Sequence, residues 1–381
     1  MSLPRFLNLS KFPEGGIILV IIVLGLLLSF FGGDVDRPLI ANGQRVMHTV
    51  DGQQQPVFVK VNKFFNPETL TQIAKDTSFF AIMAVGMTIV IITAGIDLSV
   101  GSIYALAAVS GALFMNQFGS DGPWWAGVGG AGITIVIAVL AGVANGVMIT
   151  GLNVHPFIIT LGTMAIYRGI AFVLTNGQSV GDFPQSIRDT VRFTPIGDLS
   201  LVPLIVMVLV CVAGSIFLIR MAIGRRIYAI GGNETASRYS GIRVGRVKLL
   251  AYALTGLTAG IAAVLALGYY GAASSGDGSG YELNVIAAAV VGGASLVGGK
   301  GSALGAVLGA IILQMISTGM VILGIPQNYS QIVTGVVVIT AVLLDQLNRW
   351  ISDRRLLAET ARIKKGVVEA AEAVHASNPV S

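Results

Sequence analysis

Apolar residues fill this chain in long blocks, separated by short polar or Gly-rich interruptions. About 20 residues at 1.5 Å rise cross the hydrocarbon core of a bilayer. On that ruler the pattern predicts about ten spans: 15–31, 77–95, 100–117, 124–149, 154–175, 200–220, 248–270, 284–299, 302–323 and 329–347. An all-α, polytopic membrane protein is expected. The second-to-third and eighth-to-ninth connections are too short and too Gly-rich for ordinary loops, so broken or re-entrant helices are predicted there. Irregular backbone is tolerated at membrane depth only where it faces protein or a water-filled cavity.

Between these blocks lie segments of other character. Residues 33–70 form an external segment in which Thr49 to Val61 reads as a small hairpin turned at Asp51-Gly52. Residues 176–199, with Pro184 and Pro195, form a second. Either suits an external binding protein, and either suits a plain connection. Residues 351–375 carry charge with helical spacing of the apolar positions, as in a helix on the inner membrane surface or a solvated one. The first apolar run follows Arg5 and Lys11 and ends in Ser-Phe-Phe-Gly-Gly without a small-x-small cleavage site, so it reads as an uncleaved helix.

Composition strengthens the membrane reading. The 381 residues are 54% hydrophobic and 11% charged, against about 25% charged in a soluble domain. The 49 glycines suit close helix–helix approach. Where the charge sits is more informative than its total of +5. Arg220, Arg225, Arg226, Arg238, Arg243, Arg246 and Lys248 surround one acid, Glu234, between the sixth and seventh spans. Short loops rich in Lys and Arg stay in the cytoplasm. That orientation puts residues 1–14, the loop 221–247 and the basic tail 348–381 inside, with 15–347 as the membrane domain. A nucleic-acid partner has little support.

Within the basic loop, Asn233 follows two glycines and can cap one short helix over Glu234–Ser240. An ordered helix in such a loop points to a protein docking on it. Catalytic chemistry has no comparable signal. His48, His155 and His375 are far apart, and Cys211 stands alone in an apolar span, so neither a metal site nor a disulfide within the chain is expected. The segment 293–302 fails the phosphate-loop pattern, because Gly298 is followed by Gly299 and Lys300 by Gly301. No ATPase site is expected on this chain.

Polar groups inside spans are the remaining candidates, since burying them is costly. Asp97 lies in a helix interruption between Gly95 and Gly101. Capping the third span through the amide of Ser99 or Val100 and touching a solute are both open to it. Asn145, Asn153, Thr160, Thr163 and Arg168 line the fourth and fifth spans, and Asn153-Val-His155-Pro156 reads as a helix start. The outer segment Gly268–Asn284 offers hydroxyls, tyrosines including Tyr281, and the acid Glu282. It suits a neutral polyhydroxyl solute, or a loop that simply packs the mouth.

The stretches Ala84–Ser102, Ala229–Ile242 and Gly280–Gly301 resemble the permease subunits of ribose/xylose/galactose-type ABC importers, and the likeness runs in order from about Phe64 to Leu347. The resemblance implies a bacterial inner-membrane importer of two permease chains. ATPase subunits inside hold ATP and Mg, and a periplasmic sugar-binding protein works outside. Gly232, Asn233, Glu234, Ala236, Ser237, Ser240 and Gly241, with Arg238 among them, match the loop that docks on the ATPase. Asp97, Asn145, Thr160, Thr163, Tyr281 and Glu282 are the candidate pathway residues. The segment 33–62 is longer than the family pattern. The sugar is not fixed by the resemblance, since related permeases carry branched-chain amino acids, nucleosides or signalling furanoses. An ion-coupled secondary transporter would need several intramembrane acids, and a scaffold would have no use for broken helices.

Overall fold

The computed structural model describes residues 14–38, 40, 41, 44–50, 53–194, 200–337, 339, 340, 342, 343 and 346. It divides into two units, 1–334 and 335–381, and the second is helical at its described positions. The N-terminal residues 1–13, the positions Asp51, Gly52 and Pro195, and the tail lie outside the described residues.

Among the described residues, seven helices are long and apolar enough to cross a membrane. They are α1 (Gly15–Gly32), α2 (Pro67–Ile92), α4 (Trp124–Leu152), α5 (Pro156–Thr175), α7 (Leu201–Arg220), α10 (Val244–Tyr270) and α12 (Ala303–Ile322). Two shorter apolar helices, α3 (Val100–Asn116) and α11 (Tyr281–Val291), border the expected interruptions, α3 after the first and α11 before the second. Residues 93–99 and 292–302 are non-helical, the first largely buried and the second only partly, so both broken connections are present. The protein is a multi-pass, all-α membrane protein with one small β element.

Several boundaries differ from the apolar pattern. Helix α2 starts ten residues before position 77, at Pro67, because Asn66 caps it by accepting from Thr69 N and Pro67 fills the first turn. Its polar first turns hid it from a hydropathy ruler; Lys75 is buried there, donating to Tyr269 Oη and Gln72 Oε1. Helix α11 ends at Val291, where Gly292 to Lys300 turn away. The loop 221–247 is mostly helical: α8 (Ala222–Gly232) and α9 (Glu234–Tyr239) precede α10, which begins at Val244. Buried Gly224, Ile227 and Ile230 give α8 its inner face.

Helix α10 is the centre of the bundle, packed on α2, α3 and α4. Its Gly256 faces Gly142 of α4, with Gly260 against Ala138 and Gly146 against Leu249 on either side. A Cβ on Gly142 or Gly256 would overlap backbone of the other helix, which is why small residues occur here. Helix α1 lies on α12, where Leu28, Phe64, Ile73 and Met315 form a separate apolar cluster. The segment between α1 and α2 is a nested β-ribbon: β1 (Asp34–Pro38) pairs with β6 (Phe58–Asn62), and between them lie the pairs β2 (Ile40–Ala41) with β3 (Gln44–Arg45) and β4 (Met47–Val50) with β5 (Gln53–Pro56). Strands β4 and β5 pair antiparallel out to Val50↔Gln53. Helix α6 (Gln185–Val191) packs on α10, where a Cβ on Gly268 would meet Val191.

Candidate functional site

One group of candidate residues gathers at the N-terminal end of α10. Gly231 and Gly232 close α8, and Asn233 is extended at φ −159°, so its Oδ1 accepts from Ala236 N at 2.8 Å. This is the helix start that Asn233 predicts. Glu234 in the first turn pairs with Arg238 at 3.0 Å and Lys248 at 2.7 Å. The Lys248 ammonium, through its hydrogen bond, holds the Glu234 carboxyl below the ordinary glutamate range; partial burial opposes this and Arg238 adds to it. Ser237 is buried, Ser240 Oγ donates back to Ala236 O, and Gly241 turns the chain at φ +81°. Gly232, Ala236 and Arg238 are exposed, and Tyr239 is 88% exposed. The result is a capped helix whose outer side is exposed.

Helix α8 connects this element to both broken connections. A Cβ on Gly231 would overlap the carbonyl of Ile92, the last residue of α2, and the amide of Gly299. Gly299 N itself donates to Ile92 O at 2.9 Å, and Tyr228 Oη donates to Gly301 O at 2.7 Å.

The segment 93–99 holds the second group. Asp97 is fully buried and its Oδ1 accepts from Ser99 N at 2.9 Å and from Ser99 Oγ at 2.6 Å, the capping role open to it. Asn145 Nδ2 donates to Ser99 Oγ at 2.7 Å, and Tyr167 Oη donates to Asn145 Oδ1 at 3.3 Å. Ile96 O accepts from Tyr252 Oη at 3.3 Å and Thr160 Oγ1 at 3.5 Å. Thr163 is buried too, but its hydroxyl donates to Thr160 O within α5. Asp97 Oδ2 has no hydrogen-bond partner among the described residues. His155 takes the helix-start role, its Nδ1 accepting from Phe157 N before Pro156.

Tyr281 and Glu282 lie in a third group, at the C-terminal end of α10. A cavity of 480 Å³ is lined there by Tyr104, Tyr270, Tyr281, Ser179, Ser274 and Asp277, among others. Arg168, whose partner is invisible in sequence, donates through Nη1 to the carbonyls of Ser275 and Asp277 and so ties α5 to the cavity floor. Glu282 Oε1 accepts from Gly280 N, while its buried Oε2 has no hydrogen-bond partner among the described residues. A Cβ on Gly101 would overlap Gly278 O and lie 2.6 Å from Glu282 Oε2. The first turn of α3 thus lies between the Asp97 group and this third group.

The structure therefore joins Asp97, Asn145 and Thr160, puts Thr163 at their edge, and holds Tyr281 and Glu282 apart from them. Sequence reasoning missed Tyr104, Tyr167 and Tyr252. They stand in apolar stretches; Tyr167 and Tyr252 are marked out by their hydroxyls' distant partners and Tyr104 by its ring against Tyr281.

The model of the family described as "Branched-chain amino acid transport system / permease component" matches residues 69–342. The ribose import permease protein RbsC of Escherichia coli (strain K12) is 40% identical over 292 residues, covering 76% of this chain and 87% of that protein. Its counterpart in Bacillus subtilis (strain 168) is 38% identical over 297 residues, covering 74% and 86%. The D-allose transport system permease protein AlsC of Escherichia coli (strain K12) is 37% identical over 285 residues, covering 74% and 85%. With nearly all of α2 and the helices through α12 inside the matched region, and more than two thirds of each chain aligned, this protein belongs to the branched-chain amino acid transport system permease component family.

Proposed function

We propose that the chain is the membrane subunit of an ATP-driven importer that admits a monosaccharide of the ribose type. The observation that carries the choice of solute is the lining of the outer cavity. Its hydroxyls and tyrosine faces come with one carboxylate, that of Asp277, and no Lys, Arg or His lines it among the described residues. The nearby guanidinium of Arg168 gives Nη1 to the carbonyls of Ser275 and Asp277, and its charge is offset by the neighbouring carboxylates of Glu282 and Asp277. An amino acid would bring a carboxylate needing a cation, whereas a neutral polyhydroxyl solute would not. The ribose and D-allose permeases among its relatives favour the same class.

In this reading Gly232 to Gly241 dock on ABC ATPase subunits, which hold ATP and Mg; this chain binds neither. A second permease chain, identical or paralogous, completes the pathway, and a periplasmic binding protein delivers the sugar. The membrane is the bacterial inner membrane, with both termini and α9 on the cytoplasmic side. Helix α10 has 27 residues, about 40 Å at 1.5 Å per residue, so its ends face opposite sides. Closure of the ATPases pushes α9, and the packed contacts of α8 and α10 carry the movement to the two broken connections and the cavity. That is alternating access driven from one side. Tyr281 and Glu282 meet the solute at the mouth, and Asp97, Asn145, Thr160 and Thr163 form the polar wall farther in.

The test is uptake of radiolabelled ribose by cells expressing the complete system, with unlabelled competitors. Ribose or allose in excess is expected to suppress the signal and leucine to leave it unchanged. Uptake of labelled leucine, and none of any pentose or hexose, would contradict the sugar reading.

A further inference from the structure

A second cavity, of 780 Å³, opens at the N-terminal end of α10 and has a different chemistry. Arg226 of α8 and Arg243 and Arg246 at the start of α10 converge on it, and Ile223, Val247 and Leu250 form apolar walls. None of these arginines makes an ion pair among the described residues. The acid in the neighbouring cavity, Glu234, is taken by Arg238 and Lys248. The start of α10 adds to the positive potential: it has no side-chain cap and no acid in its first turn. Three unpaired guanidinium groups and an uncapped helix start in one concave site call for a phosphate.

The apolar walls narrow the source of that phosphate. Helix α7 carries an exposed apolar stripe at helical spacing from Ile205 to Ile219, and the chain runs from it through exposed Met221 to Ile223 in the cavity wall. A free anion would gain nothing from such walls, while acyl chains would. We propose that this cavity binds an anionic phospholipid, its phosphodiester held by Arg226, Arg243 and Arg246 and its chains lying against α7. Basic pockets at the cytoplasmic ends of transmembrane helices suit such headgroups. The occupied site would brace α8 against α10 beside the α9 helix. The inference is independent of which solute is carried.

The experiment uses the full chain, purified in dodecyl maltoside and delipidated, with thermal unfolding followed during titration. Dioleoylphosphatidylglycerol is expected to raise the unfolding temperature saturably, and dioleoylphosphatidylcholine and inorganic phosphate are not. The triple variant R226Q/R243Q/R246Q is expected to weaken the half-saturation point by about a hundredfold, on the order of fivefold per arginine. The R226K/R243K/R246K variant, which keeps the charge, is expected to retain saturable binding. Should the glutamine variant fail to fold, the wild-type titration still decides, because its half-saturation point must rise steeply with salt. Equal response to the two lipids, saturation by inorganic phosphate at the lipid's concentration, or a glutamine variant titrating like wild type would overturn the proposal. Loss of a co-purifying protein from the glutamine variant with unchanged lipid titration would make the arginines a protein contact and overturn it equally.

Discussion

Lys248 Nζ donates to Glu234 Oε2 at 2.7 Å, so the second turn of α10 grips the short helix α9 by its first residue. The pair depresses the Glu234 carboxyl below its ordinary range. A depressed native value means that the pair's contribution is full above the unfolded glutamate value, about 4.3, and is lost as pH falls through the native one. Glu234 is 41% exposed, so screening limits the contribution to about 0.5 kcal/mol. Unfolding temperatures of wild type and Glu234→Gln in detergent are expected to differ slightly at neutral pH and to converge below about pH 4. A gap that widens on acidification would contradict the pairing.

Gly231 and Gly232 are adjacent in sequence and opposite in environment. Gly231 faces the Ile92 carbonyl, while a Cβ on Gly232 meets nothing within 4 Å. Gly231→Ala is expected to destabilise by about 1–3 kcal/mol, as overpacking does, and Gly232→Ala to stay within about 0.5 kcal/mol. Thermal unfolding of both variants checks this. Equal behaviour would remove the contact between α8 and the end of α2.

Asp97 separates capping from solute contact by substitution. Asp97→Asn keeps the Oδ1 acceptor for Ser99, whereas Asp97→Ala leaves a buried amide unpaired, at about 1–3 kcal/mol. The alanine variant is expected to unfold at lower temperature and the asparagine variant near wild type. An alanine variant as stable as wild type would refute the cap; a stable asparagine variant without uptake would add a transport role.

Gly101→Ala pushes a methyl group into Gly278 O and towards Glu282. The outer segment must lift, so ribose uptake is expected to fall at least about tenfold while the chain still inserts. Uptake assays paired with membrane immunoblots read both. Normal uptake would show that the seat of Gly278 on α3 is not needed.

What the sequence shows plainly is what depends on neighbours in the chain. Asn233 and its short helix, Pro156 after His155, and the Gly-rich breaks at 93–99 and 292–302 all follow from local backbone chemistry. Helix α8 was hidden because its buried face, Gly224, Ile227 and Ile230, sits among arginines that dominate the composition. The polar first turns of α2 were hidden for the same reason. The chain Asp97–Ser99–Asn145–Tyr167 could not be read at all, since its links join residues 46 and 22 positions apart. Arg168 donates to the backbone carbonyls of Ser275 and Asp277, partners that no residue pattern advertises.

The most direct measurement is ATP-driven uptake of labelled ribose by proteoliposomes holding the complete importer, comparing wild type with Glu234→Arg and with deletion of 233–238. Both variants are expected to insert and fold but to transport at background, with the ATPase no longer retained on the deletion variant. Uptake at the wild-type rate by either one would contradict the assignment of α9 as the element through which ATP drives this permease.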